Sequence, residues 1–288
     1  MSATNLMTSY DSITFWTRNT NCILSSANGY DTTGISVGIV PYGGIGGVLI
    51  SNRHVLLARH TAAGTTPGST IYFVNDSNAV FTYTITSVQP VGPSSGGGYT
   101  DIAIGYLNST VDASLKYYKV FPSTFLNYLQ LGATYSTFQY LNPYLPLFYM
   151  DQEKRFLCGD CDGLNLLDPN STLLNLVFSQ NINRYNNSEV IVGGDSGNII
   201  FASVNNEIVL LGTWYLGGSS KNPGNNIGTS SYIPSNISTI NSVMTSLAGS
   251  SYSLTQLDLS NLFRIINLKS SKQKRFNVIH FKSNYNNK

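Results

Sequence analysis

From Ile35 onward the chain is written in short apolar runs cut by Gly, Asn, Ser and Pro. Ile35–Val40, Gly47–Ser51, Val55–Ala58, Thr70–Val74 and Val80–Val88 are rich in Val, Ile, Thr and Tyr and predict strands. The Gly- and Ser-rich stretch Gly92–Tyr99 predicts a surface loop ahead of another strand at Ile102–Leu107. A second set of strands is predicted at Thr134–Leu141, Leu173–Ser179, Asn198–Ser203 and Glu207–Trp214. Between the sets, Ser109–Leu131, with Pro122 inside it, reads as a long crossover. Helical spacing is almost absent until Ser235 or Asn236, either of which can cap a helix. Its face is marked by Ile237, Ile240, Met244 and Leu247 at intervals of three and four.

Two groups of short strands with hardly a helix between them predict an all-β fold. The expected form is two packed six-stranded antiparallel β-barrels followed by one C-terminal helix. The expected organisation is an irregular leader over 1–33 and a main domain over 34–250. Within that domain, barrel one covers about 34–110, barrel two about 130–234 and the helix 235–248. An extension, 251–288, follows.

Composition agrees with a packed core, since 42% of the 288 residues are hydrophobic and only 10% are charged. Charge is unevenly spread. Arg264, Lys269, Lys272, Lys274, Arg275, Lys282 and Lys288 face no Asp or Glu after Asn261; against a chain total of +2, those seven charges leave the first 260 residues at −5. Such a tail is more often a solvated terminus than a nucleic-acid contact. No run approaches the roughly 18 apolar residues of a membrane span, and the first residues show no basic leader with an apolar stretch behind it. Cys158 and Cys161 form a Cys-x-x-Cys, which lacks the second pair a structural zinc site needs. A local crosslink or two thiols is the expectation there, and no metal or cofactor is implied.

The chemistry-bearing run is Gly193-Gly194-Asp195-Ser196-Gly197. A serine becomes a nucleophile near neutral pH only with a base to take its proton, an acid to orient that base, and donors for the oxyanion that forms. Glycines on both sides let a carbonyl approach and leave backbone N–H groups free to converge on it. Upstream, Gly46-Gly47-Val48-Leu49-Ile50-Ser51 and Val55-Leu56-Leu57-Ala58-Arg59-His60 form a strand, a turn and a second strand ending in histidine. Thr100-Asp101-Ile102-Ala103-Ile104 follows, and Val209-Leu210-Leu211-Gly212-Thr213-Trp214 comes after the serine.

These three motifs, in the order His, Asp, Ser, resemble those of the trypsin-like (chymotrypsin-fold) serine peptidases over roughly Ile35 to Ala248. The resemblance implies a serine endopeptidase acting on protein or peptide substrates. It implies Ser196 as nucleophile, His60 as general base and Asp101 as the orienting acid. The backbone N–H groups of Gly194 and Ser196 would form the oxyanion hole. It further implies that Val190, six residues before the serine, floors the pocket for the residue preceding the cut. Tyr215, Leu216 and Gly217 would flank that pocket. An apolar Val190 argues for a hydrophobic or small side chain there, and Asp195 is expected to anchor the loop structurally. His54 is expected to be structural.

The chain departs from that family's secreted members. Thr61 stands where many have a disulfide cysteine, and no Ile-Val-Gly-Gly start is present to be inserted beside Asp195. It is closer to the disulfide-poor bacterial and viral relatives. A second reading stays open beside the enzyme: a trypsin-like fold used as a virion, tail or adhesion component with little or no proteolysis. The Asn- and Tyr-rich composition favours it. A nucleic-acid binder acting through the basic tail is the third.

Overall fold

A computed structural model describes residues 4–8, 16–40, 46–62, 67–95, 98–125, 147–159, 164–166, 172–178, 185–222 and 225–260. The chain divides into two compact units, Met1–Leu257 and Asp258–Lys288. The sheets, the helix and the candidate site all belong to the first. Among the described residues no helix is long and apolar enough to cross a membrane.

The first sheet is built from β1 (Gly38–Val40), β2 (Gly47–Leu49), β3 (His54–Ala58), β4 (Thr70–Val74), β5 (Val80–Pro90) and β6 (Ile102–Leu107), in the order β1-β4-β5-β6-β3-β2. All its pairings are antiparallel. Its two edges are drawn together just before β1, where Ile35 bridges Val48 and the Ser36 N–H donates to the Gly47 carbonyl at 2.9 Å. The long β5 makes this curvature possible. Its first half pairs with β4 and its second with β6, and the register shifts between Ile85 and Ser87. A bulge of this kind bends a strand so that it can serve two neighbours.

The second sheet contains β7 (Lys119–Val120), β8 (Leu147–Met150), β9 (Phe156–Gly159), β10 (Leu164–Leu166), β11 (Leu173–Val177), β12 (Ile199–Val204), β13 (Glu207–Gly217) and β14 (Asn226–Tyr232). Its antiparallel path runs β10-β11-β14-β13-β12-β8-β9, and β7 adds to β13 in parallel. The fold is therefore the expected all-β pair of sheets with a C-terminal helix, Ile237–Ala248. The second sheet has eight strands rather than six, one of them parallel. The predicted strand at Thr134–Leu141 lies outside the described residues, as does Cys161. Cys158 is in β9, and Cys22 is a buried free thiol.

Strand alternation explains where the core sits. In β3, Val55 and Leu57 point into a cluster inside the first sheet with Ile71, Phe73, Ile85 and Leu107. Leu56, between them, joins a second cluster with Ile102 and Ile104 of β6 and with Phe148, Ile199, Phe201 and Leu210 of the second sheet. Because both faces are covered, β3 is buried at every position and reads as a continuous apolar run. The leader is irregular, as expected, yet it is packed. Leu6, Met7, Trp16, Cys22 and Leu24 all enter the inter-sheet cluster, as do Ile237, Ile240 and Met244 of the helix. Asn236 holds the position before the helix but does not cap it with its side chain. A 3-10 turn, Ile233–Asn236, precedes the helix, and the Asn236 amide donates back to the Tyr232 carbonyl at 2.8 Å.

Candidate active site

The register of β3 against β6 does most of the positioning. Ala58 pairs with Ile102, so the residues just beyond, Arg59-His60 and Asp101, meet at the same end of the sheet. The chain turns there into one helical turn, Arg59–Ala62. The Arg59 N–H donates to the Asp101 carbonyl and the His60 N–H to Asp101 Oδ1, each at 2.8 Å. The imidazole of His60 then lies with Nδ1 2.6 Å from Asp101 Oδ2 and Nε2 2.8 Å from Ser196 Oγ. A carboxylate can only accept, so Nδ1 carries the proton and Nε2 presents its lone pair to the Ser196 hydroxyl.

Asp101 is fully buried, whereas the His60 side chain is 38% exposed, so the array opens to solvent on the side of His60. The Asp101 N–H is itself satisfied by Ser231 Oγ at 2.9 Å, from β14 of the second sheet. Tyr99 closes the other side, its hydroxyl 3.4 Å from Asp101 Oδ1. Burial, then the Asp101 charge, holds the Tyr99 phenol protonated well above its ordinary value. Tyr215 lies beside both, its ring centroid 5.8 Å from His60 and 5.7 Å from Tyr99.

Ser196 arrives from the second sheet, on the loop leading into β12. Two glycines let that loop touch the first sheet. The Gly46 N–H donates to the Ser196 carbonyl at 3.0 Å. A Cβ on Gly46 would fall 2.4 Å from the Asn198 nitrogen. One on Gly197, whose φ is +76°, would fall 2.6 Å from the Gly46 carbonyl oxygen. Gly194 has φ +104°, and a Cβ there would run into the Gln152 carboxamide. Among the described residues, neither the Gly194 nor the Ser196 N–H has a protein acceptor. Both are therefore available to an oxygen that develops charge beside Ser196.

The loop is anchored through Asp195, as expected of it. Its buried carboxylate accepts the Gln152 N–H at 2.8 Å and the Val192 N–H at 2.7 Å. Burial raises this carboxyl above the ordinary carboxylate value, while those two N–H groups and the Lys154 charge pull it back. Lys154 is buried as well and donates to Asn198 Oδ1 at 2.7 Å. Burial lowers its ammonium to about 8, with Asp151 and Asp195 opposing the change.

Three segments converge beside the serine. The Ile191 N–H donates to the Ile227 carbonyl at 2.9 Å, the Gly218 N–H donates to the Ile191 carbonyl at 3.1 Å, and Gly217 pairs with Gly228. Val190 is half-buried. Its neighbour Ile191 is the side chain against Gly228 and Trp214, with a Cβ on Gly228 falling 3.0 Å from the Ile191 Cβ and 2.9 Å from the Trp214 ring. Leu216 and Val192, on two of these segments, are large apolar side chains left 51% and 53% exposed. Tyr215 faces His60, and Gly217 is exposed beside it.

His54, at the start of β3, stands apart. Its Nε2 donates to the Met244 carbonyl at 3.1 Å, so its Nδ1 accepts from Ser51 Oγ at 2.8 Å, and it is fully buried. It ties the first sheet to the C-terminal helix. Sequence reasoning thus brought together His60, Asp101, Ser196 and Gly194, and it missed Gln152, Lys154, Ile191 and Ser231. No protein-family model matches the chain, and no curated protein matches it.

Proposed function

We propose that the protein is a serine endopeptidase of the trypsin-like kind. The observation that carries the reading is the single imidazole of His60 held between Asp101 Oδ2 at 2.6 Å and Ser196 Oγ at 2.8 Å. In this reading Ser196 Oγ attacks the scissile carbonyl as His60 Nε2 takes its proton. Asp101 holds the tautomer and balances the imidazolium that forms, and His60 then delivers the proton to the leaving amine. The oxyanion is met by the Gly194 and Ser196 N–H groups, each such donor typically contributing about 3 kcal/mol to the transition state. Water then releases the acyl group from Ser196 by the same steps in reverse.

A substrate chain laid along Tyr215–Gly217 would set its side chain preceding the cut between Val190–Val192 and Leu216. The exposed apolar side chains of Val192 and Leu216 support a preference for an apolar residue there. The wild-type protein is expected to take a fluorophosphonate label and to cleave casein, and Ser196→Ala to do neither. A folded wild-type protein that takes no label would end the enzymatic reading and leave the structural-component reading in its place.

A further inference from the structure

The turn between β8 and β9, Asp151–Arg155, meets the serine loop through Gln152 and Lys154 and its approach through Arg155. The Gln152 N–H binds Asp195, and its carboxamide lies against Gly194. Lys154 binds Asn198, whose own amide donates to the Asp195 carbonyl at 3.1 Å. Arg155 reaches Glu189, on the approach to the serine loop, at 2.8 Å while also holding Asp151 at 2.6 Å. The indole N–H of Trp214, in the strand beside Ser196, donates to the Met150 carbonyl at the head of the same turn at 3.2 Å.

The turn is in turn held by the leader. The Leu6 N–H donates to the Lys154 carbonyl and the Phe156 N–H to the Thr4 carbonyl, each at 2.9 Å, with Asn5 bridging Arg155 as in an antiparallel pair. The far side of this strap is pinned as well. The Asn19 N–H donates to the Leu6 carbonyl at 3.1 Å, Met7 bridges Arg18, and Leu6 and Met7 are buried. Lys154 has a left-handed backbone, φ +57°, which a side chain tolerates only where its surroundings impose it. A lysine at full burial is costly unless its charge is used. Here its ammonium donates to Asn198, whose amide holds the Asp195 backbone carbonyl, and its charge is one of the influences that lower the Asp195 carboxyl.

We propose that the leader strap Thr4–Leu6 and the Asp151–Arg155 turn form an internal clamp that keeps the Gly194 and Ser196 N–H groups converged, with Lys154 and Gln152 as positioning residues. This rests on the peptidase reading of the site. It gives the serine loop an internal cation and two fixed N–H donors. The loop's shape therefore depends on a segment nearly two hundred residues away in sequence rather than on the substrate.

The test compares a Trp16→Phe parent, in which Trp214 is the sole indole and whose hydrolysis is first matched to that of the wild-type protein, with the same parent carrying a deletion of residues 1–8 or Lys154→Met. Fold is checked by far-UV circular dichroism. Peptide hydrolysis and Trp214 emission are the two readouts. The clamp predicts that both variants lose at least tenfold in kcat with KM changed less than threefold. It also predicts that both shift the Trp214 emission, because the Met150 hydrogen bond moves with the turn. Wild-type kcat and unshifted emission in the two variants would overturn it, as would a loss confined to KM. If the deletion fails to fold, Lys154→Met, which leaves the strap intact, decides by the same criteria. If the wild-type protein proves to have no peptidase activity, the peptidase reading fails alone. Trp214 emission, with amide exchange across Val192–Asn198, still decides the clamp: faster exchange in the variants supports it, and unchanged exchange refutes it.

Discussion

Replacing Asp101 by Asn is the sharpest single perturbation of the site, because it changes one atom at a fully buried position. Both carboxylate oxygens of Asp101 accept from His60, Oδ1 from the backbone N–H at 2.8 Å and Oδ2 from Nδ1–H at 2.6 Å. An amide offers one acceptor and one donor in the same two places. With its NH2 toward the backbone, two donors face each other in a site closed to water, at a cost of about 1–3 kcal/mol. With its NH2 toward the ring, Nδ1 must become the acceptor, and the proton moves to Nε2, where it faces Ser196. A base that already carries a proton on that nitrogen cannot take another from the serine. The second arrangement avoids the buried clash and should dominate. Removing the right tautomer in this way costs about 10⁴ in kcat, or about 5 kcal/mol of barrier. The assay is hydrolysis of an activated ester and of a peptide by active-site-titrated protein, alongside the rate of fluorophosphonate labelling. A loss under tenfold with unchanged circular dichroism and melting temperature would refute the assignment of Asp101 as the orienting acid.

Two further perturbations separate close approach from architecture. Gly197→Ala places a Cβ 2.6 Å from the Gly46 carbonyl oxygen at a φ of +76°. It should cost about 1–3 kcal/mol of stability and at least a hundredfold in kcat/KM, because the loop must lift from the first sheet; a fully active folded variant would show that the contact is not needed. His54→Gln should lower stability by about 2 kcal/mol in urea unfolding at pH 7 while labelling of Ser196 stays within threefold, and loss of labelling in a folded variant would refute the structural role. The wild-type imidazole, brought down to about 4 mainly by burial, adds a pH signature. Its folded value lies below its unfolded one, so its contribution is fully present above about pH 6.5. That contribution is lost as pH falls toward 4, a decline the variant should lack.

Periodicity was enough for the first sheet. Thr70–Val74 and Ile102–Leu107 are strands at the predicted residues, because their Val, Ile and Phe side chains alternate between two apolar faces. His60, Asp101 and Ser196, which the structure brings within hydrogen-bond reach, stand out in the sequence for a different reason. Each sits at the end of such a strand or in a glycine-flanked turn, where local sequence leaves a signature. β14 was not legible: Gly228, Thr229, Ser230 and Ser231 carry no hydrophobic pattern, yet all are buried between neighbours. Their hydroxyls are used for hydrogen bonds, Ser231 to Asp101 among them. The turn Asp151-Gln152-Glu153-Lys154-Arg155 carries no sign of its burial in the sequence, since lysine is among the residues least often buried. Only the folded contact with Asn198 and Asp195 reveals it. β7 was hidden because two residues pairing in parallel leave no period to read.

The division of labour between the sheets explains why so much of the chain that is neither sheet is nevertheless packed. Asp101 and His60 come from the first sheet and are fixed to one another by the β3–β6 register, so their geometry survives as long as that sheet does. Ser196 comes from the second. Its distance from His60 is set across a seam bridged by the Gly46–Ser196 and Asp101–Ser231 hydrogen bonds. In the peptidase reading, a shift of about 1 Å at such a seam is enough to cost a hundredfold in rate, far less than is needed to unfold either sheet. The seam is filled by Leu6, Trp16 and Leu24 of the leader and by Ile240, Met244 and Leu254 from the C-terminal side, all in one cluster with Leu56 and Phe201. Interiors packed this densely transmit small displacements rather than absorbing them. The leader and the helix thus bear on the His60–Ser196 distance by fixing how closely one sheet approaches the other.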